Sequence, residues 1–568
     1  MSFKPNSLYY SDGYKVGHKR MLAPNTTRLY GTAIPRNLKH APPGVTKIVS
    51  FGQQLTVKWL HDNFTENFFG IAKEDAMQFP KDMSLYLGMD YDGKHFEDLY
   101  DLGYLPIKIK SLPEGIETLP NIPHMTFINT VKGFAWLTLY LETIISALSW
   151  KPQVAATIAL QYKRNAVEWF NKTDRDNIGL IPYYMHDFSA RGLNPHDMIS
   201  VGLAHATSFR GSDTLITIPA ARYYYNEPLD EVCVNSVNAS EHSVSTTKIF
   251  TVGEKQMLKD WLRDFPKGIL SIVADTFDIW KLITEYLVDL KEDILNRDGK
   301  LVIRGDSGDP VDIVCGKKFK EDKKYLKSVE DIDQYYRDGG AEYFDIGEDY
   351  YQDTHEETIK IDNKLYKVKV TAEINKFHDH NDNDHYCFDG IRSVEYQEIE
   401  YKPSYKGIVE LLWGIFGGTV NSEGYKVLDS HVNTIYGDSI NLERQVQMYE
   451  RLETKGFAAS NILLGVGSYT YSMITRDSTG YAIKGAWFEI EDTDGSKGYN
   501  IYKDPITDDG SKRSLKGFQA VYHENGEYIV KSECTEEEEN TGILQTIYQD
   551  GKYYNEINLK EIREKLNN

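Results

Sequence analysis

The chain has 568 residues, enough for two or three domains with sizeable cores, and its hydrophobic share of 41% and charged share of 26% are those of a soluble globular protein. A formal net charge of −21 argues against a nucleic-acid or anionic-membrane binder, which needs a basic face; an anionic small substrate stays open where cations gather locally. Cys233, Cys315, Cys387 and Cys534 show no paired spacing, which fits a reducing compartment and excludes a CxxC zinc site. The first residues carry no apolar signal region, and the most apolar stretch, 134–150, is interrupted by Glu142 and short for a bilayer. A cytoplasmic protein with no membrane segment is expected.

In chain order, residues up to about 178 mix short strands and helices. Residues 105–110 alternate apolar and charged, as a half-buried strand does, and residues 136–162 read as two helices separated at Lys151 and Pro152. From about 179 the pattern becomes apolar strands that each end in a polar loop: 269–275 ending in Asp275, 301–304, 431–436 and 461–464. Strands with the same exit chemistry, separated by helical stretches, predict a parallel α/β barrel or a related parallel sheet whose loops meet on one face.

Residues 316–405 break this alternation. They are rich in Asp, Glu, Lys and Tyr, with one clear strand at 364–371, and the helical pattern resumes at Ile408. This is the pattern of an inserted subdomain. The expected domains are therefore 1–178, completed by 480–568; a barrel in two parts, 179–315 and 406–479; and the insert between them. Within the insert, His378, His380 and His385 stand among carboxylates that could hold a metal. An EF-hand register from Asp379 fails, because Asp384 occupies the sixth position, where glycine is required, so a solvated polar turn is the better reading. Near the C-terminus, residues 517–522 and 527–530 read as strands, Glu536 to Glu539 as a solvated loop, and the last dozen residues as a charged helix.

The chemistry gathers at the strand exits. Strand 301–303 runs into Arg304, Gly305, Asp306, Ser307, Gly308, Asp309 and Pro310: a cation, two carboxylates and glycines that let backbone approach a ligand. Other exits supply the acids Asp213, Asp278 and Asp438. The cations are Arg191, Arg476, Lys484 and Lys503, with His242 beside Glu241, and Gly437 and Gly467 offer backbone N–H groups. Carboxylates suit ribose hydroxyls and magnesium, while guanidinium and ammonium groups suit phosphate oxygens. A sugar bearing both a phosphate and a pyrophosphate would use all of them.

The motifs His186 to Gly192, Phe209 to Thr214, Ser236-Val237, Ser240 to Ser243, Ile303 to Pro310, Tyr436 to Asp438, Thr475 to Asp477, Tyr502 to Pro505, Lys512 to Gly517 and Asp12 to His18 resemble the nicotinamide phosphoribosyltransferase family. The resemblance covers the chain apart from 316–405. It implies an irregular α/β barrel of the type II phosphoribosyltransferases, with an additional α+β domain from both chain ends. It also implies a homodimer with shared active sites, and joining of nicotinamide to phosphoribosyl pyrophosphate. Phe188 and the partner's Tyr14 would stack on the pyridine ring, and Asp213 would accept the carboxamide N–H and repel nicotinate. Asp12, Ser236, Val237 and Asp278 complete the substrate-binding set. Asp306 and Asp438, with Gly437, would hold the ribose, and Gly467 and Ser468 the 5′-phosphate. Arg36, Arg476, Lys484 and Lys503 would take the pyrophosphate with Mg2+, and Arg304 would lie near the ring or the phosphates. His242, with Arg191, belongs to the phosphate side and is the family's site of phosphorylation by ATP, with Glu241 placed to orient it. The catalytic set is His242, Asp306, Asp438 and Arg304. The chain departs from the family at Ala190, Ala274, Gly305 and Ser468, none of which removes a charge. The rival readings are a nicotinate phosphoribosyltransferase on the same fold, and a non-catalytic binding homologue, which would be expected to lack Asp306, Asp438 or His242.

Overall fold

Two kinds of strand pattern in the sequence give two kinds of sheet. The computed structural model describes residues 3–344, 352–362, 364–378, 383–507 and 513–567. The chain divides into two compact units, Met1–Val237 with Gly437–Val446 and Leu463–Asn568, and Asn238–Tyr436 with Gln447–Ile462.

In the first unit an antiparallel sheet takes its strands from both chain ends. Its order is Gly495–Asn500, Ala482–Asp492, Thr26–Ile34, Met125–Asn129, Ile107–Ser111, Gln545–Gln549 and Lys552–Tyr553. The alternating segment is the strand Ile107–Ser111, yet its Lys110 points inward and meets Glu539 at 2.7 Å. This overturns the solvated-loop reading of the acidic run. Glu536–Glu539 is a helical turn with a capping box at Thr535, and the buried Glu539 also accepts from the Tyr30 hydroxyl at 3.0 Å. A buried carboxylate persists there because a cation and hydroxyls satisfy it.

The expected break at Lys151 and Pro152 is likewise absent. A 32-residue helix, Glu142–Thr173, runs through Pro152, and the discontinuity falls at Leu141 instead. The proline costs the helix one ladder bond. Its ring is accommodated by Gly52, whose φ of +95° and missing Cβ leave room; a Cβ there would lie 2.6 Å from the ring. Burial of Ile144, Ile145, Leu148, Val154 and Ile158 along the same helix, at about 1.5–3 kcal/mol each, outweighs the loss.

The first unit also holds three parallel strands, ordered Gly211–Ser212, Met185–Asp187 and Ile462–Val466. The second unit has four, ordered Val432–Tyr436, Asp298–Gly305, Lys267–Val273 and Asn238–Ala239. Their apolar runs are buried through Leu270, Ile272, Leu301, Ile303 and Val432, as strands covered on both faces must be. Val273 pairs with Arg304 and Gly305 with Tyr436, so the polar exits leave the sheet side by side. The parallel α/β class, with the added α+β sheet from both chain ends, is the fold expected.

Within residues 316–405, Thr354–Ile361, Lys364–His378 and Asp384–Ile399 form a three-stranded antiparallel sheet. Its core gathers Ile332, Tyr336, Ile359, Val368 and Val370. The histidine cluster expected at 378–385 falls partly outside the described residues, at 379–382, as does Lys512 of the C-terminal motif. Among the described residues no group of three His, Cys, Asp or Glu is arranged to hold a metal, and no helix is long and apolar enough to cross a membrane. The four cysteines are free thiols, with Cys387 exposed.

Candidate active site

In the second unit one carboxylate organises the strand exits. Asp275 follows the strand Lys267–Val273, and its Oδ2 accepts the Asp306 N–H at 3.1 Å and the Ser307 hydroxyl at 2.5 Å. Its Oδ1 lies 3.2 Å from His242 Nε2, on the first residue of the helix His242–Val252. The Asp275 side chain is 8% exposed and His242 46%, so a nearly buried acid holds a half-exposed imidazole. The carboxylate that meets His242 is therefore Asp275, where Glu241 was expected. Neighbouring backbones lock the arrangement: the Ala274 N–H donates to the Arg304 carbonyl at 2.9 Å. The sequence signal for Asp275 was present, an acid closing an apolar strand. What was missing was a way to choose between it and Asp278. The structure gives Asp278 a capping job, accepting the Trp280 and Lys281 N–H groups at 3.0 and 3.1 Å, and gives Asp309 the same job at the helix Pro310–Cys315.

Among the described residues the buried Nε of Arg304 has no hydrogen-bond partner, a donor that an anionic acceptor would satisfy. Gly305 explains how tightly its loop folds: a Cβ there would sit 3.3 Å from the Tyr436 ring, whose hydroxyl donates to the Gly308 carbonyl at 2.9 Å.

In the first unit the corresponding organiser is Asp187, fully buried at the end of the strand Met185–Asp187. It accepts the Ser189 N–H at 2.9 Å and the Thr214 hydroxyl at 2.6 Å, holding the loops on either side of Phe188 and Asp213. The Phe188 ring lies against the Gly465 backbone so closely that any side chain at 465 would collide with it, and Gly437 approaches the same point. Asp213 Oδ1 lies 3.0 Å from His186 Nε2 and accepts the Ser236 hydroxyl. Ser236 and the half-exposed Val237 arrive there because Asn235 pairs with Arg210 and Ser212. Beneath these loops, His205 Nε2 is 3.1 Å from the Gly211 carbonyl and Nδ1 2.8 Å from the Tyr471 hydroxyl. A carbonyl only accepts, so Nε2 carries the proton and the Tyr471 O–H donates to Nδ1. Burial pushes this imidazole below its ordinary range, which keeps it neutral. Neither Asp187 nor His205 stood out in the sequence.

The remaining candidates form smaller groups in this unit. Ser468 packs on Gly192, next to the exposed Arg191, and Ser472 donates to the Gly192 carbonyl at 2.9 Å. Asp438 accepts from Ser439 at 3.1 Å, and Gly467 precedes the short helix Ser468–Tyr471. Arg36 Nε donates to the Gly480 carbonyl at 2.9 Å, in the loop that follows Arg476. Lys484 lies 3.6 Å from Glu142, which also holds Lys15 at 2.9 Å, and Asp12 accepts from the adjacent Thr143 at 2.6 Å. Tyr14 is 65% exposed. Lys503 pairs through its backbone with Ser514.

Parallel strands whose exits carry acids, guanidiniums and glycine-bounded backbone form an α/β fold whose loops can meet hydroxyls and anionic oxygens. A profile described as the nicotinate phosphoribosyltransferase (NAPRTase) family matches residues 183–552. The chain is 35% identical to a protein named nicotinamide phosphoribosyltransferase from Acinetobacter baylyi, covering 100% of this chain and 98% of that one. It is 27% identical to a protein of the same name from Xanthomonas campestris, covering 99% and 98%. A crystal structure of nicotinate-nucleotide pyrophosphorylase from Pyrococcus furiosus shares the fold with a TM-score of 0.50 at 13% identity, over 99% of this chain and 94% of that one. The chain belongs to the nicotinate phosphoribosyltransferase family.

Proposed function

We propose that this protein is a nicotinamide phosphoribosyltransferase acting in NAD biosynthesis: it transfers the phosphoribosyl group of phosphoribosyl pyrophosphate to nicotinamide, giving nicotinamide mononucleotide and pyrophosphate. The observation that carries this reading is the full-length 35% identity to the Acinetobacter baylyi protein of that name. The family description names nicotinate, but four curated relatives are named for nicotinamide, and Asp213 favours the amide. A carboxylate there accepts a carboxamide N–H and repels a second carboxylate.

In the reaction the pyridine nitrogen lone pair forms the bond to the ribose anomeric carbon. The carbon–oxygen bond to pyrophosphate breaks, and its electron pair leaves with pyrophosphate. The lone pair is available at neutral pH, so no general base is needed; the residues stabilise charge instead. Phe188 offers the ring a flat apolar face, supported by its seat on Gly465. Asp306 and Asp438 take ribose hydroxyls and the developing cationic sugar. Arg304, whose buried Nε has no partner among the described residues, takes an anionic oxygen. Arg36, Arg476, Lys484 and Lys503 receive pyrophosphate, and Gly467 and Ser468 the 5′-phosphate. Asp306 and Asp309, on one loop, offer the hard oxygen donors magnesium accepts, and the ion, carried chiefly by the pyrophosphate, would neutralise the leaving group. ATP would act as an optional coupling substrate by phosphorylating His242, whose seat on Asp275 supports that role. The exposure of Tyr14 supports its stacking in the active site of a second subunit of a homodimer. Free thiols support a cytoplasmic setting.

The test is to incubate the chain with nicotinamide, phosphoribosyl pyrophosphate and magnesium, with and without ATP, and to follow the mononucleotide. Product from nicotinamide in preference to nicotinate supports the reading. Preferential turnover of nicotinate, or no product from either base, would overturn it.

A further inference from the structure

The second unit contains a cleft of about 1150 Å³ at the base of the 316–405 insert, away from the strand exits described above. Its walls come from the segment after the helix Pro310–Cys315, from Tyr401 and Lys406 where the insert ends, and from Trp413, Lys426 and Phe457. The position follows from the chain path. Asp306 and Ser307 leave the C-terminal end of the strand Asp298–Gly305, the helix Pro310–Cys315 carries the chain back, and Lys426 precedes the strand Val432–Tyr436. Gly316 and Gly407, with φ of +77° and +81°, let the outgoing and returning chains pass backbone to backbone at the neck of the insert.

The lining is strongly basic in a protein of net charge −21: nine cations against two acids, Glu321 and Glu410. Some of this charge is spent internally. Lys320 pairs with Glu357 at 3.1 Å, Lys360 with Glu321 at 2.9 Å, Lys455 with Glu410 at 3.0 Å and Arg451 with Asp312 at 3.1 Å. Lys317, Lys318, Lys323, Lys406 and Lys426 have no carboxylate within ion-pair distance among the described residues. Five such ammonium groups around one concavity repel each other unless an anion joins them. Aromatic rings alternate with them. Lys406 Nζ stands 5.7 Å from the Tyr401 ring, and Lys426 5.7 Å from Trp413 and 5.0 Å from Phe457.

We infer that this cleft is a second, non-catalytic binding site, and that its ligand is a nucleoside polyphosphate. The unpaired lysines supply the phosphate contacts, the aromatic walls a face for the base, and the volume accommodates one nucleotide. A nucleic-acid polymer fits poorly, because the rest of a chain at −21 repels an extended polyanion.

The experiment titrates the full-length chain with ATP and, separately, with inorganic tripolyphosphate by calorimetry, in the original sequence, in Lys318→Glu/Lys323→Glu and in His242→Ala. Lys318 and Lys323 are exposed and lie outside the proposed catalytic set, so basal turnover stays unchanged in the double variant. The expected result is an ATP site weakened at least about tenfold by the double charge reversal and retained in His242→Ala. ATP should bind that site more tightly than tripolyphosphate, because only ATP engages the rings. If Lys318→Glu/Lys323→Glu unfolds early in a thermal melt, Lys318→Gln/Lys323→Gln is titrated in its place, with a smaller weakening expected. ATP binding that is lost in His242→Ala but untouched by the lysine changes would place it at the catalytic loops and overturn the inference. So would the absence of ATP binding to the original chain. Equal affinity for ATP and tripolyphosphate would overturn the nucleoside assignment. None of these readouts depends on which pyridine is turned over.

Discussion

Asp187 and Asp275 use one device for different ends. Each closes a parallel strand and ties neighbouring loops through its carboxylate oxygens. Asp187 is fully buried, and its donors are an amide and hydroxyls that are buried with it. Asp275 is nearly buried, but two of its donors, His242 and Ser307, reach the surface. A sealed carboxylate fixes geometry, here the setting of Phe188 and Asp213. A carboxylate that holds an exposed imidazole leaves that group able to react while controlling where it points.

The largest loss of stability is expected at Asp187. Asp187→Ala leaves the Ser189 N–H and the Thr214 hydroxyl without their acceptor in a site closed to water, and is expected to cost about 2–4 kcal/mol. Urea denaturation reads this as a lower midpoint at unchanged slope. Asp275→Asn is expected to do the reverse, with a small change in stability but a loss of turnover on the order of 30–150-fold, as about 2–3 kcal/mol of transition-state positioning is lost. Equal stability losses in the two variants would show that both acids are merely structural.

Buried imidazoles of the first unit also predict a pH dependence. His124 is fully buried between the Thr118 hydroxyl and the Gln153 side chain; burial drives it down to about 3, and His205 shifts in the same direction. Both imidazoles stay neutral in the fold and gain a proton in the unfolded chain below about 6.5, so the unfolded state binds more protons. Stability is therefore fully present above about pH 6.5 and falls with acid, by on the order of 1 kcal/mol per pH unit for His124, down to its folded value near 3. Unfolding curves at about pH 7.5, 6.5 and 5.5 should show that decline, with a shallower slope in His205→Gln.

How much of this was legible depends on which interactions are local. The parallel strands could be read because Ile269 to Val273 and Leu301 to Ile303 are apolar runs that end in charge, a signal contained within each segment. The pairing of Thr26–Ile34 with Ala482–Asp492 could not, since alternation marks a strand but does not name its partner about 450 residues away. The same limit hid the burial of Glu539, whose partner Lys110 is 429 residues away, and the passage of a helix through Pro152, which Gly52 permits. Within the site, residue type and strand-exit position pointed to Asp306, Asp213 and His242. Hydrogen-bond geometry decided between Asp275 and Asp278, and three positions of separation in one loop carry no trace of that choice.

A smaller effect is expected at Asp213, where the two regions differ in purpose. Asp213→Ser removes the charge that disfavours a second carboxylate and keeps a hydroxyl that can meet an amide. The ratio of nicotinate to nicotinamide turnover is expected to rise by about tenfold, near 1.4 kcal/mol. An unchanged ratio, with nicotinamide affinity intact, would remove Asp213 from the account of specificity.

The smallest change falls on the open side. Ser307 donates to Asp275 Oδ2 at 2.5 Å, the oxygen that also takes the Asp306 N–H at 3.1 Å. In Ser307→Ala the backbone bond remains, and so does the His242 contact through Oδ1, because neither needs the hydroxyl. Ser307 is exposed, so water replaces the lost donor and stability should move by no more than about 0.5 kcal/mol. What changes is the freedom of the 306–307 loop, and with it the placement of the Asp306 carboxylate. The expected effect is a drop in kcat/KM of about threefold, carried by kcat, with the proposed phosphorylation of His242 by ATP unaffected. A matching loss of phosphorylation would mean that Asp275 is a single rigid unit whose two oxygens cannot be separated. The open side would then be built like the sealed one.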